Sequence, residues 1–400
     1  MNRFSRRNFI RNAALAGAGT AAVIHAAGSG LVPQDVEFST PHSEKTVLDL
    51  NNAALSEGMP SAESPRLSAD QKAWMDLKFG MFIHFGINTY YDMEWSDGTL
   101  DPKAFNPEKL DTDQWCRTAR DAGMKYIVLI TKHHDGFCLW PSKYTNYTVA
   151  ASPWKGDLVA EVANSAAKYG LKFGLYYSLW DRNQKLHDTD EPRFVDWMKL
   201  QLEELLTNYG EVVELWFDGF WKKQNHGWTK KQEIDGEAEF LEKNHRRDLD
   251  FIHAWRMEGA YRWQMDHLYQ FIKSIQPNCL VMNNATTSYP GVPLHPVDIR
   301  CGEKYTSPNK NDVKVWDWLN GQVYLPLQIE TTMSVKGNKQ FKSGNWFWHE
   351  WDHSVASKET ILNYLEVAEK MEANLLLNCG PMANGLLRPE DESTLKSLRV

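Results

Sequence analysis

The feature that most constrains this fold is a regular alternation, from Leu77 onward, of short apolar runs with helix-length amphipathic segments. Runs such as KYIVLIT (125–131) and ANLLLNC (373–379) are almost entirely apolar, which is typical of parallel strands covered on both faces. Eight such runs, mostly separated by helices, predict a (β/α)8 barrel of the α/β class. The remaining six candidate strands are 79–85, 172–178, 212–218, 279–283, 296–303 and 327–332.

Two stretches interrupt this regular pattern. The connection between the fifth and sixth candidate strands is too short for a full helix, so we expect the barrel to be distorted there. The highly polar segment 221–258 predicts a long loop or hairpin after the fourth strand. An open doubly wound sheet is the alternative architecture, but no GxGxxG motif follows the first strand.

The N-terminus has the pattern of an export signal. A basic start containing Arg6-Arg7 and then Phe9-Ile10 resembles the twin-arginine signal, and an Ala/Gly-rich stretch follows that is too short and too weakly apolar for a membrane span. We therefore interpret residues 1–30 as a signal peptide and expect an exported, periplasmic protein; an ordinary secretory signal is the alternative. Residues 31–68 are interpreted as a linker, which assigns 69–400 to a catalytic barrel.

Composition excludes some partners and favours others. The 400 residues contain 44 Lys plus Arg against 52 Asp plus Glu, a net charge of −8, so there is no basic excess to attract nucleic acid. The 17 Trp, 15 Tyr and 17 Phe suit a sugar-binding cleft, because flat rings pack against the apolar face of a pyranose. The five cysteines form no CxxC pair, which favours buried apolar roles over a zinc site.

Polar side chains are concentrated where the predicted strands end. Functional residues of such barrels lie at the carboxyl ends of strands, which all face one mouth. Paired carboxylates there suit glycoside hydrolysis, in which one attacks the anomeric carbon and the other protonates the leaving oxygen. The candidates are His84, Glu94, Trp95, His133, His134, Tyr176, Tyr177, Trp216, Asp218, Glu303, Glu330 and Asn378.

A metal hydrolase is the competing interpretation, because three histidines and Asp218 could form a ligand set. However, the first strand ends in His84-Phe85-Gly86 rather than His-x-His, and no HExxH motif is present. A GxSxG serine nucleophile is absent as well. We therefore expect a site that needs no metal and no other cofactor.

Several stretches together resemble the α-L-fucosidases of glycoside hydrolase family 29. The matching segments are KFGMFIHFG (78–86), EWSDG (94–98), AGMKYIVLITKHHDGFCLWPSKYTNYTV (122–149), KYGLKFGLYYS (168–178), ELWFDG (214–219) and ANLLLNCGPMANG (373–385). The resemblance implies a barrel enzyme with a retaining, metal-free mechanism that acts on fucosylated oligosaccharides or glycoconjugates.

The resemblance also implies roles for individual residues. Asp218 matches the catalytic nucleophile, and Trp216, two residues earlier on the same strand face, matches a pocket aromatic. Glu303 is our choice for the acid/base, with Glu330 in reserve and Glu258 a distant third. The expected sugar-binding residues are His84, Glu94, Trp95, His133, His134 and Tyr176. The match of Tyr176 leaves the register open by one residue, so Tyr177 is the alternative.

The sequence departs from the family pattern in two places. Some members place a sugar-binding Arg after the fifth strand, where this chain has Asn283-Asn284-Ala285, and the family's usual C-terminal β-sandwich has no counterpart before Val400. Two other functions therefore stay open, a catalytically silent sugar-binding barrel and a retaining hydrolase for a related sugar such as a galactoside. Linkage preference and oligomeric state are not predicted.

Overall fold

The computed structural model describes residues 65–219, 263–284, 296–308, 312–318, 321–337 and 344–398. Eight parallel strands form a closed barrel in the order β1-β10-β9-β6-β5-β4-β3-β2, which confirms the predicted fold class. The strands are β1 Phe79–Ile83, β2 Tyr126–Lys132, β3 Lys172–Ser178, β4 Val212–Asp218, β5 Leu280–Asn283, β6 Ile299–Glu303, β7 Val315–Trp318, β8 Gly321–Tyr324, β9 Leu327–Thr332 and β10 Ala373–Cys379.

Helices cover the outside of the barrel between most strands. Several start at a side chain that accepts a backbone N–H and so satisfies a free donor of the first turn: Asp111 accepts from Gln114 and Asp157 from Ala160. The helices are α1 Ala69–Met75, α2 Thr112–Asp121, α3 Leu158–Lys168, α4 Glu191–Asn208, α5 Met265–Ile275, α6 Lys358–Lys370 and α7 Pro389–Lys396.

The barrel is irregular around β5 and β6, as expected from the short connection. These two strands pair through only two residue pairs, whereas β9 and β10 pair through six. The antiparallel hairpin β7–β8 lies between β6 and β9 in the chain and was not predicted. The signal for it in the sequence is an Asn-Gly pair between two aromatic-containing runs, a dipeptide that favours hairpins.

The end of the barrel opposite the carboxyl ends is closed by α1. The indole of Trp74 donates to the buried carboxylate of Glu214, and the Gln328 amide donates to both oxygens of that carboxylate at 3.0 and 3.1 Å. Asn374 donates to the Trp74 carbonyl at 2.8 Å. Burial raises the pKa of Glu214 to about 7. Access to the barrel interior is therefore from the carboxyl ends of the strands.

Several predicted features lie outside the described residues, namely the signal peptide (1–30), most of the linker (31–68), the 221–258 insertion and Glu258. Ser68 is described, and it forms a reciprocal cap with Gln71 at the start of α1. All five cysteines are buried, as predicted, and none of them forms a disulfide. In the part of the chain that the structure describes, no helix is both long and apolar enough to cross a bilayer.

Candidate active site

Asp218, the last residue of β4, lies at the mouth of the barrel. Its Oδ2 accepts the Tyr176 hydroxyl at 2.7 Å, and its Oδ1 accepts the N–H of Gly219 at 2.8 Å and the amide of Asn284 at 3.2 Å. Trp216 lies two residues earlier and therefore on the same inward face of the strand. Three donors thus orient this carboxylate and stabilise its negative charge.

A second carboxylate, Glu303 at the end of β6, lies beside it. The Asn284 amide nitrogen that donates to Asp218 also donates to Glu303 Oε2 at 2.7 Å. Because both bonds start from the same nitrogen, Asp218 Oδ1 and Glu303 Oε2 lie at most about 6 Å apart. Glu303 is partly exposed, whereas Asn284 is buried. Asn284 was not singled out by the sequence, because an asparagine beyond a strand has many roles.

The neighbouring Glu303 carboxylate affects the protonation of Asp218. Burial, together with the charge of Glu303, raises the pKa of Asp218 to about 7, and the donors Tyr176, Gly219 and Asn284 oppose that rise. Three donors therefore stabilise the negative charge of Asp218 against the effects of burial and of the neighbouring Glu303 carboxylate.

Glu330, the reserve candidate, occupies a different environment. It is the register partner of Glu303 on β9 but has no exposed surface. Its oxygens accept the Gly302 N–H at 3.0 Å, the Trp216 indole at 3.3 Å and the Cys301 thiol at 3.4 Å. Burial holds its pKa well above the usual range. A carboxyl enclosed in this way supports the positions of Trp216 and β6 and has no open face for a substrate.

Tyr176 is held between two rings. It stacks on Trp216 with ring centroids 5.2 Å apart and on His133 with centroids 5.7 Å apart. The next residue, Tyr177, faces the opposite side of the strand, where its hydroxyl donates to Gln201 at 2.7 Å and accepts from Lys132 at 2.9 Å. The alternation of side chains along β3 therefore brings Tyr176, and not Tyr177, to Asp218.

Hydrogen bonds determine which nitrogen of His84 carries the proton. The Asn378 amide nitrogen donates to the Trp346 carbonyl at 2.8 Å, which leaves the Asn378 oxygen to face His84 Nδ1 at 2.7 Å. Nδ1 must therefore be the N–H. Burial lowers the pKa of His84 to about 3, so the ring is neutral and its Nε2 is a hydrogen-bond acceptor.

The ring nitrogen of His134 that carries the proton is assigned in the same way. The Ser178 hydroxyl donates to the Trp180 carbonyl at 2.7 Å, so it accepts from His134 Nδ1 at 2.7 Å. Burial holds the pKa of His134 well below its usual range, which leaves an unprotonated Nε2 located 3.4 Å from Asp218 Oδ2. The adjacent ring of His133 is also kept neutral by burial, and its Nδ1 has no hydrogen-bond partner in the described structure.

Glu94 and Trp95 lie in the loop after β1 and have different surroundings. Trp95 contacts His134 edge to face, with centroids 5.4 Å apart. Glu94 is buried, and its carboxylate accepts the backbone N–H groups of Trp346 and Phe347 at 3.0 and 3.1 Å. The 346–347 segment after β9 was missed in the sequence, because nothing in its local pattern indicates a contact 250 residues away.

His133, His134 and Asp218 are also residue types that bind metal ions. One potential ligand atom from each lies within 4.8 Å of the others. Asp218 Oδ2 already accepts the Tyr176 hydroxyl, and Nδ1 of His134 is bonded to Ser178. Both groups therefore already have hydrogen-bond partners within the protein.

Comparison with known proteins places this chain in a family. The sequence model of the α-L-fucosidase family matches residues 90–399. The chain belongs to the α-L-fucosidase family. It is 29% identical over 360 residues to α-L-fucosidase 1 of Arabidopsis thaliana, covering 86% of this chain and 62% of that protein. It is 30% identical over 346 residues to the putative α-L-fucosidase 1 of Oryza sativa subsp. japonica, covering 83% and 58%.

Solved structures agree with this assignment. A glycoside hydrolase 29 family member from an unknown rumen bacterium superposes with a TM-score of 0.64 at 31% identity, covering 84% of this chain and 56% of that one. The α-L-fucosidase family resemblance recognised in the sequence is therefore confirmed. The chain spans about 60% of the length of the two plant relatives.

Proposed function

We propose that this protein is a retaining α-L-fucosidase that removes terminal α-linked L-fucose from glycans, with Asp218 as nucleophile and Glu303 as acid/base. The observation that carries the proposal is the single Asn284 amide shared by both carboxylates. The resulting upper bound of about 6 Å between one oxygen of each carboxylate supports the ~5–5.5 Å carboxyl separation of retaining enzymes over the ~6.5–9.5 Å of inverting ones.

The first step uses the two carboxylates in opposite protonation states. Asp218 attacks the anomeric carbon while Glu303 gives its proton to the departing oxygen, which leaves as an alcohol. A covalent glycosyl-enzyme forms on Asp218. In the second step Glu303 removes a proton from water, which attacks the anomeric carbon and releases Asp218. Tyr176, whose hydroxyl donates to Asp218, keeps the attacking carboxylate oriented.

Sugar recognition in this proposal depends on neutral imidazoles. An unprotonated Nε2 on His84 and on His134 accepts a hydroxyl proton, which a charged imidazolium cannot do. Trp95 and Trp216 supply flat apolar surfaces for the sugar ring. Asn284 lies between the two carboxylates, in the part of the chain where some members place an arginine.

A substrate panel tests the proposal. The wild-type protein should hydrolyse an aryl α-L-fucoside far faster than the matching α-L-galactoside, which differs by one hydroxyl on C6. Binding of L-fucose without turnover would instead support a silent sugar-binding barrel. Faster turnover of the galactoside would indicate a retaining hydrolase for that related sugar.

We also propose that the protein is exported to the periplasm through its twin-arginine signal. The support is Arg6-Arg7 in the basic N-terminal region followed by Phe9-Ile10. Changing both arginines to lysine should leave folded, active protein in the cytoplasm, measured by fractionation. Normal export of that double variant would favour the general secretory route.

A further inference from the structure

Two aromatic side chains after β9 support the imidazoles of the site from behind. The Trp346 ring stacks on His84 with centroids 5.1 Å apart and an interplanar angle of 29°. Phe347 contacts His133 edge to face at 5.0 Å. The positions of His84 and His133 therefore depend on where the 346–347 backbone is held.

Glu94 holds that backbone with both of its oxygens. Oε2 accepts the Trp346 N–H and Oε1 accepts the Phe347 N–H. Hydrogen bonds to an ionised carboxylate are stronger than those between neutral groups, so the strength of these two bonds depends on the negative charge of Glu94. A buried carboxylate keeps its charge only when it has compensating partners.

His349 supplies the partner. Its Nε2 lies 2.8 Å from Glu94 Oε1, and its Nδ1 lies 2.6 Å from Asp92 Oδ1. Ionised carboxylates only accept, so both ring nitrogens donate when His349 is an imidazolium. The His349 side chain is 2% exposed, that of Glu94 1% and that of Asp92 52%, so the chain of contacts runs from the surface to the buried carboxylate.

We propose that His349 and Asp92 are positioning residues for sugar binding, which fix the charged Glu94 carboxylate and through it the 346–347 backbone and the rings of His84 and His133. This inference rests on the proposed function. Neither His349 nor Asp92 was a candidate from the sequence, because neither lies at the end of a predicted strand.

The protonation of His349 gives the proposal a pH signature. Among the described residues, Asp92 and Glu94 are the charged groups that act on His349, and they raise its pKa although burial opposes them. Lys304, at the end of β6, acts on Glu94 from another side and lies over the Trp346 ring, and burial lowers its pKa. When the pH rises through the pKa of His349, one N–H is lost and a lone pair faces a carboxylate. Sugar affinity should then fall.

The test compares His349→Leu with His349→Gln, whose amide nitrogen can still donate to Glu94 but does not titrate. For wild type and variants, KM and kcat on an aryl fucoside and the Kd for L-fucose are measured from pH 5 to 9. His349→Leu should raise KM and Kd roughly ten- to a hundredfold, as expected when binding groups are misplaced. His349→Gln should restore most of the affinity and lack the alkaline loss of affinity that His349 causes in the wild type.

A matched control is His187→Leu, which removes another buried histidine paired with an aspartate, Asp188, at 2.7 Å. It should change thermal stability without raising KM. The inference is overturned if His349→Leu lowers only kcat, in proportion to the folded fraction. It is also overturned if His349→Gln shows the same loss of sugar affinity at alkaline pH as the wild type. The Gln variant keeps the test decisive if the Leu variant does not fold. Wild-type protein that neither binds nor hydrolyses fucosides would refute the proposed function itself.

Discussion

Strand β4 carries two buried carboxylates, Glu214 at the closed end of the barrel and Asp218 at its mouth. They are four residues apart and so lie on the same face of the strand. Burial raises the pKa of each to about 7. By burial and pKa alone the two groups are equivalent, yet their surroundings give them different uses.

The difference lies in access and in the neighbouring charge. Glu214 is enclosed by α1, and its oxygens accept from Trp74 and Gln328. Asp218 faces the mouth, and a second carboxylate, Glu303, shares its Asn284 donor. A shifted pKa therefore marks a catalytic group only when a reacting molecule can reach it and a partner can exchange the proton.

Removing Asp218 should have the largest effect. Asp218→Gly should lower kcat roughly 10⁴-fold or more, as loss of a nucleophile does, even for substrates with good leaving groups. Added azide should partly substitute for the carboxylate and restore turnover. The same assay on Glu214→Gln is the control, and it should stay within a few-fold of wild type. Equal losses in the two variants would remove the distinction between the two carboxylates.

Glu303→Ala should have the next largest effect, and the effect should depend on the substrate. A general acid contributes about 10²–10⁴-fold, which matters for a fucosyl disaccharide and much less for a nitrophenyl fucoside whose leaving group departs unaided. Intermediate should accumulate on the aryl substrate, so its KM should fall, and azide should raise turnover.

Glu330→Ala is the comparison for that experiment. Its carboxyl supports Trp216 and Gly302, so the variant should lose activity on both substrates about equally. Added azide should not restore that activity. Azide rescue at Glu330 instead of Glu303 would show that the proton donor is on β9.

Glu214→Gln should change stability and its pH dependence. The folded-state pKa of about 7 lies above the usual glutamate pKa of 4.5, so the folded protein binds the proton more tightly and wild-type stability falls as pH rises through this window. The loss is at most about 3 kcal/mol, and the uncharged Gln variant should not show it. Denaturant unfolding of both proteins between pH 4.5 and 7.5 measures the difference. Parallel curves would mean that Glu214 does not titrate in this range.

The smallest effect is expected from metal removal. The acid, the nucleophile and the sugar-binding groups of the proposed mechanism are all protein side chains, so extended treatment with a chelator should leave kcat/KM unchanged. His133, His134 and Asp218 make this a direct test, because they could hold an ion. Activity lost to the chelator and restored by zinc would support the metal hydrolase interpretation.

The fold could be predicted from the sequence where strands are buried on both faces. The bounds of β3, β4 and β10 agree with the predicted runs to the residue, because continuous apolar character leaves little freedom in a parallel barrel. The β7–β8 hairpin was missed, because its two strands are only four residues long each and lie outside the barrel sheet.

The site was only partly predictable, for a different reason. Asp218, Glu303 and His133-His134 lie at strand ends, so the topology alone brings them to one mouth. Asn284, Trp346 and His349 act through contacts across the mouth, and such contacts leave no periodic pattern in the sequence. Glu94 was expected to line the sugar site, and the structure adds its bonds to the 346–347 backbone.

The stereochemistry of the first-formed product tests the central claim most directly. That claim is that Asp218 and Glu303 are close enough for covalent catalysis. Proton NMR of an aryl α-L-fucoside, recorded in the first minutes before mutarotation, distinguishes the two anomers. The account predicts that α-L-fucose appears first, because two inversions retain the configuration. Initial release of β-L-fucose would contradict it and would require a water between more widely separated carboxylates.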